Sequence, residues 1–167
     1  AKDCRLDRRL DTEGVRVGPS GRLLTCEEYG PFIDEWTRTG EHVRRISPPE
    51  KFFIDHRGRT PKDELPPRNL RGRQPNRGFE GLAVSSDGTK AYALPQGPLL
   101  QDGALDGEQD RVGLFVRLLE IDLSNERKTR EFVYPLDDAA HGLKVQRAVG
   151  VYLDLAAQPG DEVVDRA

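Results

Sequence analysis

Two glutamates, Glu13 and Glu80, stand 67 residues apart in matching surroundings. Glu80 lies in Gly78-Phe79-Glu80-Gly81, ahead of Leu82-Ala83-Val84 and a Ser-Asp-Gly turn at 86–88. Glu13 lies in Asp11-Thr12-Glu13-Gly14, ahead of Val15-Arg16-Val17 and Pro19-Ser20-Gly21. Two carboxylates that converge repel unless a cation or a shared proton sits between them. Oxygen-only ligands suit a divalent cation of the Ca²⁺ or Mg²⁺ kind rather than zinc. Glu28, in Glu27-Glu28-Tyr29-Gly30-Pro31, is a third candidate ligand and a candidate catalytic acid or base, and Glu27 is a fourth ligand candidate. A cation held by Glu13, Glu28 and Glu80 would bind a phosphate ester, polarise its P–O bond and activate water. The competing reading is that Glu13 and Glu80 merely accept backbone N–H bonds where two units join.

Other residues could serve the same chemistry. His141, in Ala140-His141-Gly142, is a candidate general acid or ligand, with His42 and His56 less well placed. Arg73 and Arg77 are the arginines nearest Glu80 within a basic stretch, and a guanidinium fork matches phosphate geometry, which makes them candidates for substrate binding. Asp102, Asp106 and Asp110 lack the ligand order of an EF-hand loop. No serine stands in a Gly-x-Ser-x-Gly setting, which argues against a serine esterase.

The elements that must position these residues are short strands. From 14 to 46 the pattern reads as four strands joined by tight turns: 14–18, 23–27, 32–36 and 41–46. The rhythm restarts with 82–84, 90–94, 116–123 and 129–134. The second unit follows the first at the offset of 67 until Gly97-Pro98. Beyond an Asp- and Gly-rich insertion the offset becomes 85, from Glu35 to Glu120. The predicted fold is therefore all-β, with antiparallel four-stranded meanders as in a β-propeller. A sandwich of two meanders is the alternative. Two units do not close a propeller, so the chain is expected to be a segment of about two blades. Residues 47–77, rich in Pro and Arg, are expected to form a long loop, and 144–167 an irregular tail.

With 167 residues the chain is the size of one ordinary domain. A net charge of -3 gives no electrostatic case for nucleic acid, and no apolar run reaches the roughly 20 residues of a membrane span. Cys4 and Cys26 could pair or stay free. The segment Ala1-Lys2-Asp3-Cys4-Arg5 does not read as a signal peptide.

Several motifs together resemble one family. Asp11-x-Glu13-Gly14, Glu27-Glu28-Tyr29-Gly30-Pro31, Gly78-Phe79-Glu80-Gly81-Leu82-Ala83, Arg117-Leu118-Leu119-Glu120-Ile121-Asp122-Leu123 and Tyr134-Pro135-Leu136 are similar to the phytase-like domains, also described as the esterase-like activity of phytase. The resemblance runs from about residue 10 to about residue 143, within a propeller segment read as 1–143: unit one (about 11–46), the loop (47–77) and unit two (about 78–136). Cys26-Glu27 departs from the family's usual Asp before Glu-Tyr, and the chain beyond Leu143 is read as leaving the pattern. The resemblance implies a propeller that hydrolyses phosphoesters with acidic residues, in an extracellular or periplasmic setting; the oxygen-only ligand set makes Ca²⁺ the expected cation and a small phosphorylated substrate the expected partner. A non-enzymatic propeller that binds a ligand or protein, and a lactonase-like hydrolase, are the other functions such a fold would carry.

Overall fold

The computed structural model describes residues 11–18, 21–103, 113, 115–125 and 129–136. These form two four-stranded antiparallel sheets, each in simple sequential order. The first contains β1 (Thr12–Val17), β2 (Leu23–Glu27), β3 (Ile33–Trp36) and β4 (His42–Ile46). The second contains β5 (Phe79–Val84), β6 (Lys90–Pro95), β7 (Phe115–Asp122) and β8 (Thr129–Pro135). The all-β expectation with two meanders therefore holds. Strand ends move by up to three residues, most at β5, which begins at Phe79 rather than Leu82.

Local chemistry explains the turns. Gly88 adopts φ 71°, where only glycine sits without strain, and its N–H donates to Ser85 O at 2.9 Å. Asp87 accepts from Ser85 Oγ, Thr89 N and Thr89 Oγ1, and these bonds hold its carboxyl down at about 2. Asp122 does a similar job after β7, accepting from Ser124 N and Asn125 N.

One apolar core lies between the sheets. Leu24, Cys26, Ile33 and Ile46 of the first sheet meet Leu82, Ala91, Ala93, Leu119 and Ile121 of the second. A second cluster, Leu94 and Val116 with Leu118, Tyr134 and Leu136 against them, lies on the outer side of the second sheet. Ionic pairs occupy equivalent rungs of both ladders. Glu35 faces Arg44 across β3–β4 and bonds its Nε at 2.5 Å; Glu120 faces Arg130 across β7–β8 at 3.0 Å. Arg44 also donates to Leu123 O at 3.0 Å and so ties one sheet to the other.

The 47–77 loop is irregular: most of its charged side chains are exposed, and a few residues anchor it to the core. Phe52, in a 3₁₀ turn at Glu50–Phe52, lies in the core against Phe79, with ring centroids 5.8 Å apart. Asn69 is buried and staples the loop: it accepts from His56 N and donates to His56 O and Glu64 O. Glu64 and Arg73, at 1% and 2% side-chain exposure, form an ion pair of 2.9 Å. The pairing of opposite charges is what makes burial of these two side chains tolerable. Cys26 carries a free, buried thiol that donates to Phe79 O at 3.3 Å, and burial pushes it up to about 12. Cys4, the insertion residues Asp106 and Asp110, and the tail at 144–167 lie outside the described residues.

Candidate metal centre

Glu13 and Glu80 both sit at register shifts inside their strands, not in loops before them. The β1–β2 ladder steps from Thr12 opposite Glu27 to Gly14 opposite Cys26. The β5–β6 ladder steps from Phe79 opposite Pro95 to Gly81 opposite Leu94. A bulge of this kind lets the strand continue while re-aiming one side chain. The two strands run close together. A Cβ on Gly14 would stand 3.1 Å from Leu82 Cβ and 3.6 Å from Glu80 O, so glycine at 14 permits the approach.

Glu28 is brought to this edge by the β2–β3 loop. Its N–H donates to Asp11 O at 3.1 Å. Glu27 is the clamp behind it: its carboxylate accepts Asp11 N at 2.8 Å and Gly30 N at 2.5 Å. Glu27 thus does for this loop the backbone-accepting work that was the competing reading for Glu13 and Glu80. From the other side, Tyr29 O accepts from Arg73 Nε at 2.7 Å, and Tyr29 Oη donates to Asn76 Oδ1 at 2.8 Å. The packed loop therefore holds the Glu28 turn in place.

The outcome is a set of converging carboxylates. One oxygen each from Asp11, Glu13 and Glu28 lie within 4.8 Å of one another. Asp11 was not singled out from sequence as a ligand, although the Asp11-x-Glu13 spacing, two acids flanking one residue ahead of a bulge, carried the signal. Glu80 stands outside that triad but acts on it electrostatically. Burial, followed by the charges of Glu13, Glu80 and Asp11, pushes Glu28 up to about 7. Glu13 is raised by burial and by Asp11 and Glu27, and Glu80 by burial and by Glu13 and Asp11. Among the described residues, the charged groups that raise all three are carboxylates. All-oxygen donors with mutual repulsion fit a hard divalent cation, and the thiol of Cys26, bonded to a carbonyl, offers no soft ligand.

A pH effect follows for the metal-free chain. The ordinary carboxyl of Glu28 is 4.5 and the folded one about 7. The unfolded state therefore releases its proton first, and stability falls as pH rises between those values, then levels off. With a chelator present, Glu28→Gln is expected to leave stability at pH 4 nearly unchanged and to raise it at pH 8 by about 2 kcal/mol. Urea midpoints at the two pH values check this.

The remaining candidates are placed as follows. Arg73 is not a substrate-facing arm in this structure: its guanidinium is buried against Glu64, Tyr29 O and Gln74 O. Arg77 differs: among the described residues its buried Nε has no hydrogen-bond partner, nor has the buried Oε1 of Gln74. His42 bonds Asp34 at 3.1 Å and stacks edge-on against Trp36, away from the cluster. Asp102 is taken by a two-pronged bond from Arg117. His141 lies outside the described residues.

Among the described residues no helix is long and apolar enough to cross a membrane. The chain is 33% identical over 141 residues to an uncharacterized secreted protein of Arthroderma benhamiae. That alignment covers 76% of this chain and 27% of the relative, so the chain spans about a quarter of that protein's length. The profile of the phytase-like family, described as the esterase-like activity of phytase, matches residues 2–164. The match runs past Leu143, where the sequence was read as leaving the pattern. On this match the chain belongs to the phytase-like family.

Proposed function

We propose that the chain forms part of an extracellular phosphoester hydrolase that uses Ca²⁺, and that its two sheets are two blades of a propeller. The observation that carries this reading is the approach of Asp11, Glu13 and Glu28 oxygens to within 4.8 Å, with Glu80 coupled to them and every strongly acting charge negative. Asp11, Glu13, Glu28 and Glu80 would hold the cation. When bound, a divalent ion supplies charge to bind a phosphoryl oxygen and to acidify water. The weak sites of extracellular Ca²⁺ modules, with Kd of about 10⁻⁴–10⁻³ M, match a secreted setting, and the relative's description as secreted agrees with it.

The chain's own groups have distinct tasks in this reading. Glu28, raised in the metal-free cluster by burial and by its neighbouring carboxylates, would be held in its ionised form by the cation it ligates. Arg77 is assigned the phosphate oxygen through the terminal nitrogens of its guanidinium, its Nε being buried. His141 is assigned the leaving-group proton. Arg73 works from behind, by fixing Tyr29 and with it the Glu28 turn.

The test combines binding and turnover. At Ca²⁺ of about 100 times its Kd, wild type is expected to gain about 2.7 kcal/mol. Glu28→Gln and Glu80→Gln should lose most of that gain. Hydrolysis of an aryl phosphate should depend on Ca²⁺ and fall at least about tenfold in Arg77→Met. Absence of any Ca²⁺ shift, with unchanged behaviour of Glu80→Gln, would sink the reading. Ca²⁺ binding without turnover of phosphomonoesters or phosphodiesters would favour a non-enzymatic binding module.

A further inference from the structure

The two sheets build the same corner twice. In the first, Thr12 stands opposite Glu27, the ladder shifts at Glu13, and Gly14 stands opposite Cys26. The residue after β2, Glu28, donates its N–H to Asp11 O at 3.1 Å. In the second, Phe79 stands opposite Pro95, the ladder shifts at Glu80, and Gly81 stands opposite Leu94. The residue after β6, Gln96, donates its N–H to Gly78 O at 2.9 Å. The β5–β6 hairpin is one residue longer than the β1–β2 hairpin, pairing Val84 with Ala91 where Val17 pairs with Leu23. That extra residue brings Gln96, rather than Pro95, to the place that Glu28 holds. A bulge fixed by the same backbone bonds on both sides aims the following side chain the same way. Gln96 is half-buried, and among the described residues its amide has no hydrogen-bond partner.

Charge separates the two corners. The first gathers three carboxylates, Asp11, Glu13 and Glu28. The second has Gly78, Glu80 and Gln96 in those places, a single carboxylate, and Arg77 lies beside it. A Cβ on Gly97, next to Gln96, would stand 3.8 Å from Arg77 Nη1 and 3.5 Å from Arg77 Cδ. Gln74 holds that turn from behind, its Nε2 donating to Pro98 O at 2.8 Å. The corners adjoin, because a Cβ on Gly14 would stand 3.6 Å from Glu80 O. A carboxylate corner suits a cation, and a corner with amide and guanidinium donors suits the oxyanion that the cation carries. We propose that Gln96 is a specificity-determining residue, its Nε2 donating together with the Arg77 guanidinium to the phosphoryl group of the substrate. The assignment rests on the hydrolase reading above. A phosphoryl group has oxygens to spare for these donors once one of them meets the cation. A lactone offers the cation its carbonyl oxygen and leaves Gln96 unpaired, which penalises it as a substrate.

Methylphosphonate, which is not hydrolysed, is the probe, titrated calorimetrically into the Ca²⁺-loaded chain; Ca²⁺ binding is measured separately without it. Gln96→Leu should weaken methylphosphonate at least about tenfold, through loss of one hydrogen bond to a charged group, and leave Ca²⁺ affinity unchanged. Gln96→Glu should move the two constants in opposite directions, methylphosphonate weaker and Ca²⁺ tighter, because carboxylate count sets Ca²⁺ affinity. A merely structural role would weaken both. Gln96→Asn, whose shorter amide should also weaken methylphosphonate alone, replaces either variant that lacks a native urea transition. Unchanged methylphosphonate binding in the variants, or a wild type that takes Ca²⁺ and no methylphosphonate, overturns the assignment and leaves the cation site standing. So does Ca²⁺ binding weakened by Gln96→Leu as much as methylphosphonate, which would make Gln96 Oε1 a ligand of the ion. A wild type that binds no Ca²⁺ overturns the hydrolase reading and this assignment with it.

Discussion

Gly78→Ala is expected to destabilise the chain by about 3 kcal/mol, the upper end for an overpacked site, and to remove the Ca²⁺ response at the same time. A Cβ on residue 78 would stand 1.8 Å from Glu28 O, 2.4 Å from Glu28 C and 2.6 Å from Glu28 Cα. All three are backbone atoms, so no rotamer change relieves the overlap. The β5 strand must part from the Glu28 turn, and Glu28 is the buried member of the carboxylate triad, at 3% exposure. Gly40→Ala provides the control. Its φ is 86° with nothing within 4 Å of the would-be Cβ, so it bears only the backbone term of about 1 kcal/mol and should keep the full Ca²⁺ response. Urea midpoints with and without Ca²⁺ separate the two effects. Equal losses in the two variants, with Ca²⁺ stabilisation retained in both, would show that the close approach at Gly78 is not what positions Glu28.

Arg73→Met should cost about 3–5 kcal/mol, because it leaves a charged Glu64 buried without its partner. The pair is dry on both sides, and Glu64 also accepts from Gly58 N at 3.2 Å. Desolvation dominates this balance: two buried charges gain little by meeting but lose much when one is left alone. The double variant Arg73→Met with Glu64→Gln is therefore expected to recover a substantial part of the loss, since a neutral amide keeps an acceptor for Gly58 N. Chemical denaturation of the single and double variants checks the non-additivity. Arg73→Met also releases Tyr29 O. A smaller Ca²⁺ shift in the single variant that does not return in the double would mark Arg73 as a positioning residue for the Glu28 turn.

Much of the strand pattern was visible in sequence because a half-buried antiparallel strand alternates, and the turns demand glycine at positive φ. Val15-Arg16-Val17, Leu23-Leu24-Thr25 and the Ser85–Gly88 turn are local signals of this kind. The acidic pair Glu13 and Glu80 was legible too, because an acid beside glycine ahead of an alternating run occurs at both positions. The bulges were not. A register shift depends on which residue stands opposite, and that is information held by the partner strand.

The anchors of the 47–77 loop were not legible either. Most of its charges are exposed, but Glu64 and Arg73 pair inside it, and Phe52 reaches the core through it. Pairings nine residues apart across an irregular path have no period to detect.

The amino-acid order alone decides the all-β class, the two meanders and the two glycine-flanked acids, since each rests on contacts within a few residues. Only the fold decides that Asp11 joins Glu13 and Glu28, that Glu27 accepts the backbone N–H groups of Asp11 and Gly30, and that Arg73 turns inward against Glu64. Each of these depends on which backbone groups and charges meet across strands and loops far apart in sequence. Burial then sets what those groups do: near-identical carboxylates become a structural acceptor at Glu27 and a proton-holding group near neutrality at Glu28.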